Sequence, residues 1–266
     1  MIHASAVVHP QARLDPTVEV GPHAVIDASV TLGPHCHVGP HVYLTGRTTI
    51  GAHNRFHAGC VLGDAPQDLK YQGEATQLRV GDHNTFREHV TVHRSNSTSE
   101  DTVIGSHNFL MAHCHVAHNC QLGNHIIIAN GALLAGHVTV QDRAFISGNC
   151  FIHQFCRIGT LAFMQGGAGI SKDLPPFTVA RLGGNTLGGL NTVGLRRAGV
   201  TLQERTELKR LYHALLYPRG DFAKALAEAR VAFTSPQSKI LLDFVAQGKR
   251  GICMAKDTSD SDDVQA

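Results

Sequence analysis

Tryptophan is absent from this sequence, and aromatic side chains make up only 6% of it. A core without large rings has to be built from stacked aliphatics, and a hydrophobic content of 42% is enough for one. Charge of one sign is lacking too: the formal net charge is +2, which gives no global attraction to nucleic acid or to an anionic membrane surface. No apolar run approaches the roughly 20 residues needed to span a bilayer. The N-terminal MIHASAVVHPQ has neither the charged segment nor the apolar stretch of a secretory signal. The chain therefore reads as soluble and cytoplasmic, without nucleic-acid binding or membrane insertion. Its 266 residues allow one large domain or two modest ones.

What is present is a repeat. Taking an aliphatic position i, the chain reads Ile2, Val8, Leu14, Val20, Ile26, Leu32, Val38, Leu44, Ile50, Phe56 and Leu62, each six residues on. The run resumes at Val80, Phe86 and Val92, again at Ile104 and Leu110, and continues through Val116, Leu122, Ile128, Leu134, Val140, Ile146, Ile152 and Ile158 to Met164 and Ile170. Both interruptions, 63–79 and 93–103, keep the phase and read as loops extruded from a continuous scaffold. The residue after i is often glycine, as at Gly21, Gly33, Gly39, Gly51, Gly81 and Gly105, so i+1 is the expected position of positive φ. Position i+2 holds Pro10, Pro16, Pro22, Pro34 and Pro40, which excludes a helix and the centre of a flat sheet. An inward aliphatic every six residues with turn chemistry between describes a triangular parallel β-helix of hexapeptide repeats, a class that winds left-handed. Three hexads make one coil, and each coil advances the chain by about 4.8 Å.

Cysteine pairing is lacking as well. Six of the seven cysteines (Cys36, Cys60, Cys114, Cys120, Cys150 and Cys156) share the slot i−2, and none is followed by another at the eighteen-residue spacing that would stack them. They read as small core thiols in a reducing compartment. After Val179 the repeat gives way to helical patterns over 202–216, 221–233 and 237–247. The expected organisation is a mainly β chain: a left-handed β-helix over 1–190 with extruded loops at 63–79 and 93–103, then a C-terminal α-helical domain over 191–254. An acidic tail over 255–266 is expected to be disordered.

Phase also sorts the nineteen histidines. Ten occupy i+3, from His23 to His137, which marks i+3 as a surface corner. His118 alone occupies i+2. Eighteen-residue stacking sets His118 beside Gly136 and His137 one coil on, and beside His153 and Gln154 two coils on. A histidine there suits general-base chemistry, and the Gly136 backbone N–H beside it suits an oxyanion. Zinc is the competing role, with His113, His115 and His118 as its candidate ligands, but these alternate in direction. No metal and no cofactor is expected.

The motifs GDAPQDLKYQGE (63–74), HVAHNCQLGN (115–124), LAGHV (134–138), HQFCRIG (153–159) and NTVGLRRAG (191–199) closely resemble the UDP-N-acetylglucosamine 3-O-acyltransferases that begin lipid A synthesis in Gram-negative bacteria. The likeness runs to about residue 250. It implies acyl transfer from an acyl-carrier-protein thioester to UDP-N-acetylglucosamine by a homotrimer whose sites lie between neighbouring β-helices. His118 matches the general base and Gly136 the oxyanion donor. Gln67, Asp68 and Lys70 match substrate contacts on the first extruded loop, while His115, His137, His153 and Gln154 match the nucleotide-sugar pocket. Asn191 and Arg197 match residues near the nucleotide, and Gly166 matches the position that limits acyl length.

Three positions depart from the family pattern. Asn119 follows the base where an aspartate is usual, Val193 replaces an acidic residue, and Ala198 follows Arg197 where a second arginine is common. Whether the acceptor is a 3-hydroxyl or a 3-amino group stays open at this point. The related N-acyltransferase carries an extra N-terminal uridine-binding domain, for which a repeat starting at Ile2 leaves no room. Two more distant functions compete with acyl transfer: a zinc hydratase like the β-helical carbonic anhydrases, and a catalytically silent hexapeptide scaffold.

Overall fold

The computed structural model describes residues 1–217 and 220–256. The last ten residues, 257–266, on which most of the expected disordered tail falls, lie outside them.

Strands of mostly two residues stack into three sheets of nine, eight and eleven strands, parallel except where Thr186–Leu190 pairs antiparallel with Thr178–Ala180 at the end of the last. Each strand pairs with its equivalent one coil on: Val116 with Leu134, and Leu134 with Ile152. The spacing is 18 residues (134 − 116 = 18). Leu62 pairs with Val92 and Val80 with Ile104, at spacings of 30 and 24, so the loops add twelve and six residues without breaking register. The chain is a left-handed parallel β-helix of hexapeptide repeats with a C-terminal helical region. Side chains at i fill its axis; Leu44, Leu62, Val92, Val116 and Leu134 have no exposed surface. All seven cysteines are free and buried, six of them in the i−2 slot of the same core.

The corners correct one expectation. Apart from Gly63, which opens the first loop with φ of 83°, positive φ belongs to i+3 and not to i+1: all ten i+3 histidines have φ between 56° and 60°. None of Gly21, Gly33, Gly39, Gly51, Gly81 and Gly105 has positive φ. They are small because successive coils touch there; a Cβ on Gly33 would sit 2.7 Å from the carbonyl carbon of Gly51, and one on Gly105 would sit 2.4 Å from the Gly123 oxygen. Histidine tolerates the left-handed region better than most residues, and stacking rewards its recurrence. His35, His53, His83, His107 and His125 form one exposed column with ring centroids 4.6–4.9 Å apart. Inside the same corner Asn54, Asn84 and Asn108 form a buried ladder, each Oδ1 accepting from a backbone N–H of the next coil.

Four helices follow the last coils: α1 (Thr192–Arg197), α2 (Leu202–Leu215), α3 (Phe222–Ala232) and α4 (Pro236–Ala246). Local chemistry starts each of the longer three. Thr201 and Glu204 form a reciprocal capping box on α2, Asp221 caps α3, and Ser235 followed by Pro236 opens α4. Arg157 ties this region to the β-helix. Arg157 donates through Nε and Nη2 to Asp173, through Nη2 to the Phe244 carbonyl, and lies over the Phe244 ring at 4.2 Å.

Asp173 is 1% exposed and Arg157 22%. Removing the guanidinium strands a buried carboxylate, so Arg157→Ala is expected to destabilise the protein by about 2–3 kcal/mol in denaturant unfolding, below the value for a fully buried pair. A change under about 0.5 kcal/mol would mean that the pair does not anchor the helical region.

Candidate functional site

Three corners run the length of the prism, and the expected site residues divide among them. The corner after the nine-stranded sheet carries His118, Gly136, His137, His153 and Gln154. Gly166 lies on the corner after the eleven-stranded sheet, where a Cβ would meet the Gly148 carbonyl oxygen at 3.6 Å, an ordinary contact. Asn191 and Arg197 lie against the corner after the eight-stranded sheet, where with Arg143, Leu161, Phe163 and Val193 they line a cavity of about 580 Å³. The Asn191 side chain has structural partners there: Oδ1 caps α1 by accepting from Gly194 N–H, and Nδ2 donates to the Leu161 carbonyl.

At the first corner the hydrogen bonds around Asn119 fix its orientation. Its backbone has φ of 59° and the residue is 1% exposed. Ser95 Oγ donates to the Ser97 carbonyl, so it accepts from Asn119 Nδ2 at 2.8 Å. Asn119 Oδ1 accepts from Asn96 N–H at 3.1 Å and faces His118 Nδ1 at 2.9 Å. An oxygen in that place requires Nδ1 to carry the proton. The lone pair of His118 is therefore on Nε2. That face lies against Gly136, where a Cβ would come within 2.8 Å of Nε2. Only glycine permits the contact. Its own N–H has no hydrogen-bond partner among the described residues.

The extruded loops close over this point. Asp68 accepts from Lys70 N–H at 3.0 Å and from Asn96 Nδ2 at 2.6 Å. These bonds hold its carboxyl below the usual range, with a smaller contribution from His118. Arg94 braces the first loop through the Gly63 carbonyl and the Tyr71 hydroxyl, while Gln67 and Lys70 are exposed on it. Glu100, from the second loop, stands 3.5 Å from His137 Nδ1.

His137, expected beside His118 one coil on, is in contact with it, edge-on at 5.3 Å. His115 and His93 are T-shaped to each other at 5.0 Å, and His153 faces Arg250. His113 stacks on His89 at another corner, so the set His113, His115 and His118 weighed for zinc is not assembled in the chain. Burial lowers the pKa of His93 and of His137, and burial together with His93 and His118 pushes His115 down to about 4. His93 Nδ1 is buried without a partner. Sequence reading misses His93, although it shares the i+1 slot and the corner of His153. It also misses Phe155, which stacks on His137 at 4.6 Å, and the loop residues Ser95, Asn96 and Glu100.

Residues 101–136 match the bacterial transferase hexapeptide family of six repeats, and residues 173–253 match the family described as UDP-N-acetylglucosamine O-acyltransferase, domain 2. The chain is 46% identical over 256 residues to the acyl-carrier-protein-dependent UDP-N-acetylglucosamine O-acyltransferase of Halorhodospira halophila, covering 94% of this chain and 98% of that one. It is 48% identical over 254 residues to the enzyme of the same name from a serogroup C strain of Neisseria meningitidis, covering 95% and 98%. Among solved structures, the UDP-N-acetylglucosamine acyltransferase of Francisella novicida superposes with a TM-score of 0.92 at 33% identity, covering 97% of this chain and 95% of that chain.

Two expectations follow from the site's electrostatics. Nδ2 of Asn119 faces acceptors only: Ser95 Oγ, and the Glu100 carbonyl and carboxylate at 3.4 Å. Asn119→Asp would set a carboxylate against them, so it is expected to lower catalytic turnover about tenfold even though it installs a charged partner for His118. Turnover equal to or above the parent's would show that the cage is not specific for an amide. The second concerns His115. Its folded pKa of about 4 lies below the unfolded value of about 6.5, so its contribution to stability is complete above pH 6.5 and is lost as pH falls towards 4. Between pH 7 and pH 5 the parent should lose about 2 kcal/mol more than His115→Gln in urea unfolding, and equal losses would contradict it.

Proposed function

The chain belongs to the acyl-carrier-protein-dependent UDP-N-acetylglucosamine O-acyltransferase family, and on that premise we propose that it transfers an acyl chain from an acyl-carrier-protein thioester to the 3-position of UDP-N-acetylglucosamine, with His118 as general base. The observation that supports this reading is His118, its Nδ1 facing Asn119 Oδ1, with its ring packed against Gly136 on the next coil where no Cβ would fit. In the reaction His118 Nε2 takes the proton of the attacking hydroxyl as the new C–O bond forms at the thioester carbonyl. The carbonyl oxygen gains negative charge and accepts a hydrogen bond from Gly136 N–H. Collapse breaks the C–S bond, and the imidazolium returns its proton to the departing thiolate.

Asp68, Lys70 and Gln67 on the first loop, with His115, His137, His153 and Gln154, bind the nucleotide sugar in this reading. Asn191 and Arg197 act near the nucleotide, where the guanidinium complements a diphosphate and Asn191 contributes mainly by capping α1. Gly166 leaves room for the acyl chain. Because Gly166, His118 and Arg197 occupy three different corners of one prism, a site that uses all of them draws on neighbouring copies, in keeping with a homotrimer. The step is assigned to lipid A biosynthesis.

A 3-amino sugar is the second reading, favoured by Asn119. A neutral amide orients His118 without the charge that would strengthen it as a base, and an amine attacks a thioester with less need of one. Incubation with UDP-N-acetylglucosamine and with its 3-amino analogue, followed by mass spectrometry of the products, separates the two. His118→Ala is expected to lower kcat/KM with the preferred acceptor by about 10²–10⁴-fold while the fold stays intact. Full activity in that variant would eliminate the mechanism.

A further inference from the structure

His153 is the proposed pocket residue whose ring is held from the far end of the chain. Its Nδ1 has two neighbours, and they make opposite demands. Arg250 Nη2 stands 3.0 Å away, whereas the carbonyl of the next residue, Gln154, stands 3.2 Å away. The carbonyl requires a proton on Nδ1. The guanidinium, which has donors and no acceptor, requires a lone pair there. Both contacts cannot be hydrogen bonds in one neutral tautomer.

Arg250 has the better claim. Its Nη2 also donates to the Ser171 carbonyl at 3.3 Å, which fixes the guanidinium between two coils. The backbone on its C-terminal side is pinned as well: Gly251 accepts from Asp173 N–H at 2.9 Å, and Cys253 N–H donates to the Asp173 carbonyl at 2.8 Å. Asp173 is the buried partner of Arg157, so Arg250 is placed by the same joint that fastens the helical region to the β-helix. A protonated Nδ1 would point N–H at N–H across 3.0 Å.

We infer that Arg250 is a positioning residue that holds His153 as its Nε2–H tautomer, so that the ring presents a hydrogen-bond donor to an acceptor oxygen of the nucleotide sugar. The inference rests on the proposal that His153 lines the nucleotide-sugar pocket. It adds the direction of that contact: His153 gives a proton to a phosphate or hydroxyl oxygen and does not receive one. It also gives the C-terminal segment a role at the site, although none of the site residues expected from sequence lies beyond Arg197.

The test separates the tautomer from the pocket. Long-range 15N spectra of histidine-labelled, ligand-free protein report which nitrogen of His153 is protonated, with His153→Ala supplying the assignment. The parent is expected to show Nε2–H, Arg250→Ala to shift towards Nδ1–H as the Gln154 carbonyl takes over, and Arg250→Lys to keep the parent pattern. In steady-state kinetics Arg250→Ala should raise KM for UDP-N-acetylglucosamine about fivefold with kcat changed less than twofold, and Arg250→Lys should recover most of the loss. An Nδ1–H tautomer in the parent, or a tautomer and KM untouched by Arg250→Ala, would overturn the inference. If His153→Ala itself leaves KM unchanged, it is the pocket reading that falls, and the spectra still decide for or against Arg250.

Discussion

A coil of eighteen residues rises by one inter-strand spacing, about 4.8 Å, and almost everything in this molecule follows from that pitch. Two-residue strands have too few hydrogen bonds to persist alone, yet each pairs on both sides with a copy of itself. The pitch also makes chemically equivalent residues neighbours. Aliphatics meet aliphatics along the axis, asparagine meets asparagine inside one corner, and imidazole meets imidazole outside it. Glycine recurs at i+1 because backbone passes over backbone there at contact distance. A side chain that recurs at one phase is therefore answering to its copies before it answers to any ligand.

The candidate site is where this self-similarity is broken. Column equivalence at the first corner gives His118, then Gly136, then Gln154, three unlike residues in one slot. Gly136 is needed because the His118 ring occupies the space a Cβ would take. The two loops are extruded just where the column becomes irregular, and they bring in what a coil cannot supply: the Asp68 and Glu100 carboxylates and the Ser95–Asn96 cage around Asn119. Scaffold and loops thus divide the labour. The coil sets distances along the strip, and the loops set proton positions and charge.

That division explains what is legible in the sequence. Strand positions, the phase across both loops, the buried cysteines and the helix boundaries within two residues all follow from periodicity and capping, which are local. The left-handed position is misplaced by sequence because glycine marks two different constraints, φ and close approach, and only geometry separates them. Helix α1 is six residues with a glycine inside, too short for periodicity to announce. His118 stands out by phase. Its orientation does not, because the tautomer depends on Ser95, Asn96 and Ser97, which become neighbours of Asn119 only through an extruded loop. His153 depends on Arg250, 97 residues away.

The substitution of an amide for a carboxylate beside the base then has a physical reading. An adjacent aspartate would orient the imidazole and stabilise its protonated form with one group. Here Asn119 does only the first, since Oδ1 is a neutral acceptor already shared with Asn96 N–H. Negative charge is supplied separately by Asp68, whose carboxyl is kept ionised by two hydrogen bonds, and by Glu100 beside His137. Burial disfavours the charged form of the surrounding imidazoles His93, His115 and His137. The loops set both the orientation of the Asn119 amide and the carboxylate charge near it. The carboxylates around this strip therefore come from other elements, Asp68 on the first loop and Glu100 on the second, and not from the residue after His118.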